Sequence, residues 1–141
     1  MVSFTVHGQP VAKGRARVTI RKGRVRAYTP EKTVNYEALV ADAGKIAMLG
    51  RKPLDGALLM TLRIYMQIPF SWSKKKKLSA LNGEIYPTKK PDSSNILKAG
   101  EDALNGIVYR DDSQIVEHDV SKRYSDKPRI EIAFEVIGEE A

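Results

Sequence analysis

Cysteine is absent from the chain, which excludes disulfides, thiolate zinc sites and cysteine nucleophiles and fits a reducing compartment. Long apolar runs are missing too. The best, from Gly56 to Leu62, falls short of the roughly 18 residues of a membrane span and reads as a strand. The opening Met1-Val-Ser-Phe-Thr-Val lacks the basic start and apolar middle of a secretory signal, so the cytoplasm is the expected location. No internal repeat, linker or low-complexity segment interrupts the 141 residues. That length fits one domain, 1–141, burying about two-thirds of its unfolded surface.

Positive charge is what the chain has in excess. Lys and Arg number 24 against 17 Asp and Glu, giving a net charge of +7 and a pI near 9.6, a field that favours a polyanionic partner. The distribution sharpens this. Seven basic residues and no acid lie between Lys13 and Arg26, Lys74 to Lys77 is an unbroken run, and Lys89-Lys90 precedes an acidic motif. The chain ends on a plain acidic Gly-Glu-Glu-Ala.

Local patterns predict an α+β domain, a small mixed sheet with packed helices. Val2 to His7 reads as a strand. A hairpin follows, turning at Lys22-Gly23, and its two-residue period puts Arg15, Arg17 and Arg21 on one face with Arg24 and Arg26 beside them. That plate fits phosphate contacts, and equally a solvated edge charged against aggregation. Thr29-Pro30-Glu31 opens a helix running to about Met48, with Val34, Ala38, Ala41 and Ile46 expected on its buried side. Leu58 to Ile68 alternates without a break, the best central strand. Ser71-Trp-Ser starts a short basic helix ending near Leu81. Trp72 suits a packing anchor better than a base-stacking group. A helix from about Ser94 to Asn105, a short strand leading to Asp111, and strands over about Gln114 to Tyr124 and Arg129 to Ile137 complete the chain. Ile130, Ile132 or Ala133, Phe134 and Val136 are expected in the core. His7 and His118 read as ordinary strand residues.

The informative segment is K-P-D-S-S-N-I-L-K-A-G-E-D-A-L-N-G-I-V-Y-R-D-D-S-Q-I, from Lys90 to Ile115. Asp92 precedes the helix, which Ser93 or Ser94 can cap. Ser94, Lys98 and Asp102 recur every four residues as a polar stripe, opposite a packing surface of Ile96, Ala99, Ala103 and Leu104. Carboxylates before the helix and after the returning strand are expected to converge. In a basic protein such a cluster makes most sense around magnesium, which favours one or two carboxylates plus water and phosphate and suits phosphodiester hydrolysis. Lys98 would stabilise charge growing on the phosphate. Spacing alone also fits a capping aspartate, an i,i+4 surface pair and a polar turn.

The same segment resembles the signature of RusA-type Holliday junction resolvases, commonly K-P-D-x-D-N-x-x-K followed by D-A-L-N-G and D-D-x-Q. Lys90-Pro91-Asp92, Asn95, Lys98, Asp102 to Gly106 and Asp111-Asp112-Ser-Gln114 fall in place with the expected gaps. The early K-G-R-A-R and Y-T-P elements, the basic stretch after Ser71 and Lys122-Arg-Tyr124 extend the similarity over most of the chain. The resemblance implies a RusA-like homodimer that grips a four-way DNA junction and makes paired cuts with magnesium, or manganese in its place. By position Asp92, Asp112 and Asp111 would be metal ligands and Lys98 the catalytic lysine, with Asn95 and Asp102 in support. Lys13, Arg15, Arg17, Arg21, Arg24, Arg26, Lys74, Lys75, Lys76, Lys89 and Lys90 are the expected DNA contacts.

One position departs from the pattern. Ser94 stands where the family has its second aspartate, so the site has one negative charge fewer. Either water or Asp111 fills the gap and the chain cuts, or it is a catalytically impaired junction-binding protein, natural or deliberately inactivated. A third reading, a basic protein binding nucleic acid by charge alone, predicts no preference for branched DNA.

Overall fold

A computed structural model describes residues 1–14, 17–28 and 31–141. The elements in chain order are β1 (Val2–His7), β2 (Arg17–Arg21), β3 (Arg24–Tyr28), α1 (Glu31–Met48), β4 (Ala57–Gln67), α2 (Lys74–Leu81), α3 (Ser93–Leu104), a 3₁₀ turn (Asp112–Gln114), β5 (Ile115–Ser125) and β6 (Arg129–Gly138). The fold is α+β, as expected. Four strands form a mixed sheet in the order β1-β6-β4-β5, with β4 and β5 parallel and the other neighbours antiparallel.

β4 is central because its alternation is complete. Leu58, Met60, Leu62, Ile64 and Met66 point to one buried face, where Ile130, Ile132 and Phe134 of β6 and Val2 and Val6 of β1 join them. α1 and α3 supply Tyr36, Val40, Met48, Ile96 and Leu104 to the same core. Val136 is half-exposed near the end of β6, beyond the core it was expected to join.

The buried side of α1 differs from expectation. Thr33, Tyr36, Val40, Gly44 and Met48 face inward, while Val34 and Ile46 are 50% and 74% exposed, and Ala38 is also outside. The helical period is kept, but the face is turned by one residue, about 100°. Close approach to α3 explains this. A Cβ on Gly44 would lie 2.5 Å from the tip of the Leu104 side chain, so the small residue lets α1 approach α3 on this face.

β2 and β3 form a separate two-stranded ribbon, turned by Lys22 and Gly23, both at positive φ. Its register sets Arg21 opposite Arg24 and Thr19 opposite Arg26. Arg24 is exposed. Arg15, Thr29 and Pro30, and the side chains of Arg17, Arg21 and Arg26, lie outside the described residues. Among those described, no helix is long and apolar enough to cross a membrane.

Candidate active site and basic surface

α3 organises the site. Its strong amphipathic pattern buries Ile96, Ala99, Gly100 and Leu104 and leaves Ser94, Asn95 and Lys98 outside. Asp92 occupies the N-cap position itself, in place of Ser93 or Ser94, yet its side chain makes no capping hydrogen bond. The carboxylate is therefore exposed and available, beside the positive end of the helix dipole. It sits in a cleft of about 720 Å³ lined by Gln9, Lys32, Thr33, Lys90, Asp92 and Asn95 among others. The loop before it is held from the sheet: Lys122 Nζ donates to the carbonyls of Lys89 (3.1 Å) and Pro91 (2.9 Å). The Lys90–Pro91 peptide is cis.

Further along α3, Lys98 Nζ lies 2.9 Å from Asp102, one turn on. This hydrogen bond, with the fields of Asp102, Asp112 and Glu101, holds the Lys98 ammonium above the usual lysine range. It is therefore charged at neutral pH and suited to stabilise anionic charge rather than to accept a proton. Asp102 also meets Lys13 Nζ at 3.3 Å, and Lys13 in turn meets Glu37 at 2.5 Å. Lys13 is thus the counter-ion of two carboxylates. Its pKa is raised, first by the Glu37 hydrogen bond.

Asp111 and Asp112 follow α3 after a loop whose only strand-like features are isolated bridges, Leu54 with Tyr109 and Asn105 with Tyr109. The short strand expected there is absent because Asn105 and Gly106, with φ 77° at the glycine, turn the chain at once. Asp111 caps the 3₁₀ turn through Ser113, and those hydrogen bonds hold its carboxyl below the usual range. Among the described residues the Asp112 carboxylate has one hydrogen-bond partner, the Asn105 amide at 3.4 Å.

Gln114 fixes this acidic pair. Buried beneath it, the side-chain amide donates to the carbonyls of Leu54 (2.9 Å) and Gly56 (3.1 Å) and accepts from the backbone N–H of Arg110 (2.8 Å) and Asp111 (3.3 Å). That is the physical content of the glutamine in D-D-x-Q. Gln114→Ala should lower unfolding free energy by about 3 kcal/mol, since several buried backbone groups lose their partner at once. Urea denaturation measures this, and a loss under about 1 kcal/mol would show that water replaces the amide.

The expected convergence of the two acidic stretches does not occur within one protomer. Asp92 and Asn105 are the two caps of α3, roughly 20 Å apart at about 1.5 Å per residue, and Asp112 sits beside Asn105. Among the described residues no three His, Cys, Asp or Glu side chains are grouped to hold a metal ion. Magnesium ligands lie about 2.1 Å from the ion, so two of them are no more than about 4 Å apart. Asp92 and Asp112 of the same protomer do not fit one ion, whereas each has carboxylate oxygens unengaged among the described residues and suited to a hard cation.

Spacing gave no sign of one further pair. His118 Nε2 lies 2.6 Å from Glu101 Oε1, and the Tyr109 hydroxyl donates to the Glu101 carbonyl at 2.7 Å. His118 is therefore oriented by a carboxylate rather than being a plain strand residue. With Lys122 meeting Pro91, this contact shows β5 running back along α3 toward Asp92.

At the Asp92 end the surface is basic. Lys74, Lys75 and Lys76 on α2, and Lys89 and Lys90, are exposed. None of these forms an ion pair among the described residues. Ser73 caps α2, its hydroxyl accepting from the Lys76 N–H. Trp72 forms a T-shaped pair with Tyr124, centroids 5.3 Å apart, with Lys76 Nζ 4.0 Å from the centroid of its ring. It is the anchor its position suggested.

Two comparisons bear on this arrangement. The family described as "Endodeoxyribonuclease RusA" matches residues 7–135. The chain is also 43% identical over 136 residues, 93% of each sequence, to "Uncharacterized protein YqaN" of Bacillus subtilis (strain 168).

Proposed function

Because the chain belongs to the RusA endodeoxyribonuclease family, we propose that it is a homodimeric, magnesium-dependent nuclease that resolves four-way DNA junctions in the cytoplasm. The observation that carries the reading is the pair of available carboxylates, Asp92 and Asp112, at opposite ends of α3 with Lys98 between them. Each protomer holds two half-sites, and a second protomer is needed to join them.

The sheet supplies a route for that pairing. Among the described residues β5 is an edge strand, bonded to β4 alone, and Glu117 in its first half precedes Arg123 in its second, while Asp119 and Lys122 are already held by Arg63 and by the Lys89 and Pro91 carbonyls. Two such edges laid antiparallel match acid to base. They also bring the Asp112 end of one protomer toward the Asp92 end of the other. Asp92 of one chain and Asp112 of its mate, with Asp111 nearby, would then hold the ion; manganese is a suitable substitute.

Bound there, magnesium supplies Lewis acidity at the phosphate and an acidified water. The protein's own groups do the rest. Lys98, kept charged and aimed by Asp102, stabilises the extra negative charge of the transition state. Asn105 orients Asp112. Lys89, Lys90 and the α2 lysines hold the backbone, with the Arg17–Tyr28 ribbon as a further contact, and leave catalysis to the carboxylates.

A second reading rests on Ser94. It lies exposed on the first turn of α3, beside Asp92, where a neutral hydroxyl is a poor magnesium ligand; the protein would then bind junctions without cutting them. Incubation with a synthetic four-way junction and magnesium or manganese separates the two. Symmetric nicks support the nuclease, and retention without nicks supports the binder. Equal affinity for branched and linear DNA at matched salt defeats both. Sedimentation should show a dimer.

The lysines of α2 give a further expectation. Six phosphate contacts give a log–log salt slope of about −5, and changing Lys74, Lys75 and Lys76 to Gln should flatten it by about 3. An unchanged slope would mean that these lysines are simply solvated.

A further inference from the structure

Phe70 is 83% exposed, in the turn after β4 where the Trp72 N–H donates to the Pro69 carbonyl at 3.2 Å. Leaving an aromatic ring in water forgoes the burial that stabilises most phenylalanines. Its surroundings are specific. The chain passes from Phe70 through the anchored Trp72 directly into Lys74, Lys75 and Lys76, which are exposed and without ion-pair partners among the described residues. Trp72 is already engaged by Tyr124 in a T-shaped pair and by Lys76 over its ring, so the turn presents Phe70 and not Trp72.

We infer that Phe70 is a stacking platform for an unpaired nucleobase, such as one splayed out where DNA arms branch, while the adjoining lysines hold its backbone. An apolar ring beside a strip of positive charge matches the two faces of a single strand, a flat π-surface and a phosphate chain. It matches an acidic protein less well, because the ring adds nothing to recognition of carboxylates. The inference rests on the nucleic-acid part of the proposed function but not on cutting, dimerisation or junction preference.

The test compares the full chain with Phe70→Ala, Phe70→Leu and Phe70→Trp. Each binds a single-stranded oligonucleotide containing 2-aminopurine, and the matching duplex, at one salt concentration. The Ala and Leu variants should bind the single strand about tenfold more weakly and lose the 2-aminopurine fluorescence change of a stacked base. The Trp variant should keep both, and duplex affinity should be unchanged throughout. Single-strand binding by Ala and Leu equal to wild type overturns the inference and leaves Phe70, with exposed Leu78 and Leu81, to a protein partner. Parallel loss on both DNAs also overturns it, since no base-specific contact is then present. Wild-type preference for a four-way junction, measured alongside, tests the junction reading separately, and its failure leaves the single-strand result standing.

Discussion

Ser94→Asp should raise cutting of a four-way junction about 10- to 100-fold at limiting magnesium and tighten manganese binding by a similar factor. The position is exposed, two residues beyond Asp92 on the first turn of α3. A carboxylate there joins Asp92 without displacing any packed group, and the helix dipole offsets part of the repulsion between them. Calorimetric titration with manganese and a nicking assay read the two effects independently. A gain in metal affinity without a gain in cutting would move the catalytic defect elsewhere. No gain in either would sink the assignment of a metal site to this end of α3.

Asp112→Asn should reduce cutting at least about 100-fold while leaving junction affinity intact, because an amide is a poor ligand for a hard cation but similar in shape. Among the described residues the carboxylate has only the long Asn105 contact, so little stability is expected to change with it. If pairing of two protomers builds the site, mixing Asp112→Asn with Asp92→Asn protein should restore cutting at one of the two sites in each mixed dimer. Each variant alone would stay inactive. Absence of any restored activity in the mixture, with exchange of protomers shown, would return both residues to separate roles. Lys98 offers a check on charge. Its raised pKa, due first to Asp102, means the ion pair contributes at neutral pH and is lost only as pH rises through the lysine range, so activity between pH 6 and 9 should not report Lys98.

The elements that could be read from the sequence are those in which side-chain period and burial agree. β4 alternates through its whole length between β5 and β6, and α3 has one apolar stripe facing one sheet. α1 defeats its own pattern because it carries Val34, Leu39 and Ile46 outside, and hydrophobicity cannot reveal that Gly44 is where another helix comes close. The site motif was legible in composition but not in geometry. Gaps in sequence place Asp92, Lys98 and Asp112 near one another on paper, whereas a helix of 12 residues keeps its ends apart by construction. That separation was already contained in the expected helix length. The Gln114 contacts and the Glu101–His118 pair were not, since both depend on how distant segments pack.

Gln114 holds the acidic turn entirely through main-chain atoms: the carbonyls of residues 54 and 56 and the N–H groups of residues 110 and 111. Such a clasp is indifferent to which side chains those partners carry. The side chains of Leu54 and Arg110 are thereby left to other duties, the first against the core and the second paired with Asp55 and Glu140.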